Sequence, residues 1–140
     1  MKILFVCAGN TGRSPMAQFI MRKLVKDAGL SEKISVSSAA SKPTSGELLH
    51  QGIASKLGYE EIPFGEHVSR FITREDYAAN DMIVCMDASN VAQVKAIVGG
   101  DPDGKISMLL DRDIPWDKNG FKKTYDDILR GCQKLLEEIK

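Results

Sequence analysis

Near the start of the chain, in VCAGNTGRSP (residues 6–15), a cysteine and an arginine bracket five small or polar residues. Cys7 can supply a thiolate, a strong nucleophile toward phosphorus. Arg13 can supply a planar fork of donors matched to two phosphate oxygens. Gly9 and Gly12 allow the segment between them to turn so that successive N–H groups face one concavity. Above a helix N-terminus such a concavity favours an anion, and the same setting favours an anionic sulfur at its floor. The chemistry this combination suits is phosphoryl transfer to sulfur. Two plainer readings fit parts of it. A cysteine closing a strand is often just a small buried hydrophobe. A glycine turn can hold a nucleotide, although neither GxGxxG nor GxxxxGK[ST] is present.

A strand before the turn and a helix after it must position these groups. Lys2 to Val6 is a short apolar run suited to a strand buried on both faces. From Pro15 onward Met16, Phe19, Ile20, Leu24 and Val25 recur at helical spacing, with Ala28-Gly29 as the stop. Pro15 suits a first helical turn. Ile34, Val36 and Ser38 alternate as in a second strand. A helix is predicted from about Glu47 to Leu57, with Gly58 ending it. Thr73 to Ala79 reads as a short helix, with Thr73 and Asp76 in a capping arrangement. Asp81 to Met86 is a third strand, followed by a helix opened by Asp87 and Ser89. Lys105 to Leu110 is a fourth strand. The loop DRDIPWDKNG then leads to an amphipathic helix on which Tyr125 falls on the core side. Strands alternating with helices predict a parallel sheet covered on both faces. Ligands of such sheets sit at the carboxyl ends of the strands, where the Cys7 turn falls.

At 140 residues the chain suits one domain. Its 19 basic and 19 acidic residues cancel, so nothing in the charge balance points to nucleic acid or an anionic membrane as partner. The apolar N-terminal run is too short for a signal segment or a span, and a cytoplasmic location is expected. Cys7, Cys85 and Cys132 are odd in number and lack Cys-x-x-Cys spacing, and His50 and His67 stand alone. Neither a disulfide framework, nor a metal site, nor a cofactor is expected.

The pattern C-x5-R-S followed by proline resembles the phosphate-binding loop of the low-molecular-weight protein tyrosine phosphatases. SSAAS, IPFGEHVSR, ITREDY, DMIVCMDASN and FKKTYDDILRGCQKLL resemble further segments of that family, in family order and over almost the entire chain. The resemblance implies a single phosphatase domain over residues 1–140, of three-layer α/β class: a four-stranded parallel sheet with helices on both faces. It implies hydrolysis of phosphotyrosine and small aryl phosphates. Carried over position by position, Cys7 is the nucleophile and Arg13 the phosphate-binding arginine. Ala8, Gly9, Asn10, Thr11, Gly12, Arg13 and Ser14 form the loop. Ser14 bonds the thiolate, and Asn10 braces the loop in a left-handed conformation that asparagine tolerates. Ser37, His67 and Asp87 play supporting roles, and Trp116 forms a wall against which a phosphotyrosine ring stacks. The implied reaction has two steps. A phosphocysteine forms while a carboxylic acid protonates the leaving oxygen, and water then hydrolyses it with the same carboxyl as base. No metal is required. The implied partners are a phosphorylated protein or small phosphomonoester, and inorganic phosphate or another oxyanion in the loop.

The chain departs from the family pattern in two places. Gly12 stands where many members carry a second cysteine, so a protective disulfide with Cys7 is not expected. The family's acid is an aspartate in an Asp-Pro pair, and LLDRDIPWDKNGF contains no such pair. Aligning Trp116 and Phe121 with the family's aromatic residues puts Ile114 on the acid. A shortened loop would instead leave Asp113. Asp113 is the first choice for the acid, Asp117 the second and Asp111 the third. The alternative is that all three are solvated loop charges, in which case leaving groups needing a proton react about 10²- to 10⁴-fold slower. Thr11 resembles the threonine of family members that prefer phosphoarginine, which makes a protein-arginine phosphatase the rival reading. A phospho-ligand binder with weak turnover is another. Arsenate reductases of this scaffold use two further cysteines, and here Cys85 is alone.

Overall fold

Ile3, Leu4, Phe5 and Val6 expose no surface, because β1 (Lys2–Cys7) runs through the middle of a sheet covered on both sides. A computed structural model describes residues 1–140. β1 pairs in parallel with β2 (Ser35–Ala40) on one side and β3 (Met82–Cys85) on the other, and β3 pairs in parallel with β4 (Ile106–Met108). The sheet is parallel throughout, as the alternation of elements predicts, and its order is β2-β1-β3-β4. The helices are α1 (Arg13–Asp27), α2 (Gln51–Tyr59), α3 (Glu75–Ala79), α4 (Ala88–Val98) and α5 (Lys122–Ile139). The chain leaves β1 toward β2 and later returns to β3 on the other side. The turn after β1 therefore opens into the crevice where the strand order reverses.

The two-residue period of β1 divides the core. Ile3, Phe5 and Cys7 face one way, packing with Met16 and Ile20 of α1, Ile53 and Leu57 of α2, and Ile128 and Cys132 of α5. Leu4 and Val6 face the other way, against Ile72, Cys85 and the α4 residues Val94 and Val98. Each fully buried large side chain contributes about 1.5–3 kcal/mol by leaving water. The same parity puts the thiols of Cys7 and Cys85 on opposite faces of the sheet. No helix is long and apolar enough to cross a membrane.

One predicted element shifts. The helix expected from about Glu47 begins only at Gln51, and Gly58 lies inside it. Residues 47 and 48 are extended instead. Leu48 bridges Val68, Ser69 N–H donates to Glu47 O, and Glu47 N–H donates to the Ser69 hydroxyl. Pairing with a distant segment outweighs the local helical preference of Glu47 and Leu48. His50 then caps α2 by accepting from Gly52 N–H through Nδ1 at 3.0 Å. β4 is also shorter than its apolar run, ending at Met108.

Candidate active site

Cys7 ends β1 and Arg13 begins the 15-residue α1, so the five residues between them must turn over the helix N-terminus. Asn10 makes this possible with φ 56°, the left-handed conformation expected for it. The loop's carbonyls are drawn outward by partners elsewhere in the chain. Cys7 O accepts from Ser41 N–H (2.8 Å), Ala8 O from Lys42 N–H (3.1 Å), Thr11 O from His50 N–H (2.9 Å) and Gly12 O from Met16 N–H (3.0 Å). Asn10 O accepts from His67 Nε2 at 2.7 Å, which fixes the proton of that imidazole on Nε2. With its carbonyls turned out, the loop turns its amides in. Those of Asn10 and Ser14 point at Cys7 Sγ (3.3 and 3.4 Å). Those of Ala8, Gly9, Thr11, Gly12 and Arg13 have no acceptor within the protein. Of these five residues, Gly9, Thr11, Gly12 and Arg13 line the cavity at Cys7, and a run of free amides in such a turn, a cradle, suits an anion.

A buried network holds the cradle. Asn10 Nδ2 donates to both Ser14 Oγ and Ser38 Oγ at 2.9 Å, and Asn10 Oδ1 accepts from Arg70 N–H at 3.1 Å. Because the Ser14 hydroxyl already accepts from Asn10, its own proton is directed to Cys7 Sγ, 3.0 Å away. Ser38 Oγ donates onward to Gln18 Oε1. The supporting serine is thus Ser38 and not the expected Ser37. Phe5 pairs with Ser38 and Leu4 with Ser37, so Ser37 lies on the opposite face of the sheet from the loop. It lines a small cavity with Lys2, Ala79 and Asn80.

Arg13 Nη1 donates to Asp87 Oδ2 and to Ile114 O, both at 2.9 Å, leaving Nε and Nη2 for a ligand. Asp87 also caps α4 in a capping box with Asn90. Burial works against its charge. The Ser89 hydroxyl, the Asn90 amide and Arg13 outweigh that and hold its pKa below the usual carboxylate range. Burial pushes the Cys85 thiol up to about 12, with Asp87 and Cys7 adding to the rise, and burial also raises that of Cys132. Both therefore stay protonated and inert.

Cys7, Gly9, Asn10, Thr11, Gly12, Arg13 and Trp116 line a cavity of about 130 Å³. Trp116 reaches this wall as expected, and it does so by lying directly on Gly12. A Cβ at position 12 would stand 2.2 Å from Trp116 Cζ3. The indole is backed by His50 (ring centroids 5.2 Å apart) and Phe121 (4.8 Å), and His50 and Phe121 also touch each other (5.4 Å). Gly52 makes room for this cluster, since a Cβ there would meet Phe121 Cε2 at 2.3 Å. No pattern local to His50, Phe121 or Gly52 signals this role.

The carboxylates expected to supply a proton are elsewhere. Asp113 is exposed, and its Oδ1 accepts from Ala88 N–H at the start of α4 (2.9 Å). Asp117 Oδ1 accepts from Asn119 N–H (3.0 Å), and Asp117 N–H donates to Thr124 Oγ1. Asp111 lines a larger groove of about 680 Å³ along β4 and α5, whose lining does not include Cys7 or Arg13. Ile114, aligned with the family's acid, is buried with its side chain in the core, and it offers the site only its carbonyl.

A model of the family described as low molecular weight phosphotyrosine protein phosphatase matches residues 2–140. The chain belongs to that family. It is 35% identical to the human low molecular weight phosphotyrosine protein phosphatase, over 97% of this chain and 94% of the human one. It is 33% identical to the low molecular weight protein-tyrosine-phosphatase YfkJ of Bacillus subtilis, over 99% and 95%. The crystal structure of YfkJ superposes with a TM-score of 0.93, covering 99% of this chain and 94% of that one. That of the Streptococcus pyogenes enzyme SP-PTP gives 0.91 at 32% identity, covering 99% and 93%. Family membership makes the chain a cysteine-based phosphatase that hydrolyses phosphomonoesters.

Proposed function

We propose that the protein hydrolyses phosphotyrosine and small aryl phosphates through a phosphocysteine on Cys7. The observation that carries this reading is the cavity at Cys7, lined by Gly9, Thr11, Gly12 and Arg13, whose amides have no acceptor in the protein, beside the two free donors of Arg13. The thiolate attacks phosphorus in line from the cradle floor. The amides and the guanidinium bind the equatorial oxygens, whose charge grows in the transition state. Ser14, oriented by Asn10, donates to the sulfur and stabilises it as an anion when the S–P bond later breaks. Asp87 keeps the guanidinium in place. The aryl group of the substrate lies against Trp116, and inorganic phosphate, as product, occupies the same cradle.

Rapid-quench mass spectrometry with p-nitrophenyl phosphate tests this reading. The expected result is one phosphate on the peptide containing Cys7, absent after Cys7→Ser. Turnover without that adduct would point to another mechanism.

A second reading, phosphoarginine as substrate, draws support from Thr11. It lines the cavity, and its hydroxyl has no partner in the protein. Phosphotyrosine and phosphoarginine peptides assayed side by side separate the two. A preference for phosphoarginine that falls with Thr11→Val would favour this second reading.

A further inference from the structure

We infer, resting on the phosphatase reading above, that His50 is a positioning residue with two separable tasks. Its Nδ1 caps α2, and the rest of its ring holds Trp116 in the cavity wall, which sets how much a substrate's ring gains from that wall. The backbone on either side of Trp116 is tied down. Ile114 N–H donates to Met86 O (3.0 Å), Pro115 O accepts from the Thr124 hydroxyl (2.7 Å), and Asp117 N–H donates to the same hydroxyl oxygen (3.0 Å). These bonds place the main chain at residue 116 but leave the indole free to change rotamer. Contact stops it, with Gly12 in front and with His50 and Phe121 behind.

The two rings behind the indole are held in different ways. Phe121 is buried in the core at the start of α5, on a left-handed backbone with φ 59°. His50 is exposed, and its ring is oriented by one hydrogen bond, from Gly52 N–H to Nδ1. Gly52 lets the ring come this close, since a Cβ there would stand 3.1 Å from both Cε1 and Nδ1 of His50. Held so, the imidazole meets the indole at 90°, the edge-to-face arrangement that aromatic pairs favour. The main-chain N–H of His50 donates to Thr11 O, so the ring is anchored to the same loop that the indole covers. Serine, aspartate or asparagine would cap α2 at least as well as histidine. None of them has a ring to reach the indole. Capping alone does not call for histidine at position 50, whereas capping together with support of the wall does.

Two substitutions pull the tasks apart. His50→Asn keeps a cap and removes the ring, and His50→Phe keeps a ring and removes the cap. The measurement is the ratio of kcat/KM for phenyl phosphate to that for acetyl phosphate, of which only the first carries a ring. Both substrates draw on the same folded fraction, so the ratio does not depend on how much of a variant folds. His50→Asn should lower the ratio by about three- to fivefold, the size of one aromatic contact. His50→Phe should keep it within about 1.5-fold of wild type. Its melting temperature should fall by about 2–6 °C, the cost of a lost cap. Trp116 is the only tryptophan, so intrinsic fluorescence reports on this ring alone. Acrylamide should quench it more readily in His50→Asn than in the wild type or in His50→Phe. A capping role alone predicts the reverse, with His50→Asn like wild type in ratio and in quenching. That result, or an equal loss of ratio in both variants, would overturn the inference. If the wild type turns over neither substrate and forms no phosphocysteine with p-nitrophenyl phosphate, it is the phosphatase reading that fails. The quenching comparison then still decides whether His50 holds the indole.

Discussion

The turn from Cys7 to Ser14 and the loop from Leu109 to Phe121 meet at one cavity, and the fold treats their polar groups in opposite ways. In the turn, partners elsewhere in the chain pull the carbonyls outward, which leaves amides facing the sulfur. In the loop, backbone N–H groups pull the carboxylates outward, which leaves a carbonyl and an indole facing the arginine and the cradle. The cradle is therefore a property of the main chain, enforced by the β1–α1 connection. Proton delivery depends on where one loop side chain points. A change in the first would disturb the sheet, whereas a change in the second leaves the sheet untouched and alters only which leaving groups depart easily.

Substitutions should reproduce that division. The largest effect is expected from Cys7→Ser, which should reduce turnover of every substrate by about 10⁴-fold or more. An assay with p-nitrophenyl phosphate measures it, and retained turnover would remove Cys7 from the chemistry. Arg13→Lys keeps a charge but loses the fork, and kcat should fall by about 10²- to 10³-fold whatever the leaving group. A loss confined to aryl substrates would instead place Arg13 with the loop and not with the cradle.

Gly12→Ala lies where the two regions touch. Its Cβ cannot coexist with Trp116 in its present position, so the indole must leave the wall. kcat/KM for phenyl phosphate should fall about tenfold, while that for acetyl phosphate, which has no ring to stack, should change little. Trp116→Ala should act in the same direction and more mildly, by about three- to tenfold. Equal losses on both substrates in either variant would show that the ring shapes the cradle and does more than contact substrate.

The smallest effect on chemistry, with a clear effect on stability, is expected behind the cradle. Arg70 gives its N–H to Asn10 and its guanidinium to Asp76. Burial opposes the charge on Asp76, but Arg70 and Thr73 together hold its pKa below the usual carboxylate range. A carboxylate held low in the native state adds stability above its unfolded pKa of about 3.9 and loses that contribution as pH falls through the native value. Asp76→Asn should therefore lower stability by about 1–2 kcal/mol near neutral pH. The difference from wild type should shrink as the pH is taken below about 4. Urea melts at pH 7 and pH 3 measure it, and an unchanged gap at pH 3 would show that packing, and not charge, is what Asp76 supplies.

Much of the site was legible because it is local. Cys7, Asn10, Arg13 and Ser14 lie within eight consecutive residues, and the strand before and helix after them are written in short apolar periods. Those periods determined the parallel sheet and the place of the turn in it. Asn10 was legible as the left-handed residue because few other side chains tolerate that conformation. Only the tertiary structure decided the rest. Ser38 serves the network and Ser37 does not because pairing with β1 sets which serine faces Cys7, and a one-residue difference reverses the face. Asp113 is lost to the site because the amide of Ala88, 25 positions earlier in the chain, captures it. Gly12 is needed because Trp116, about a hundred residues away, comes to rest on it. Local sequence sets backbone conformation and burial period. The direction in which a loop carboxylate or an indole points is set by whichever distant donor or surface the completed fold brings beside it.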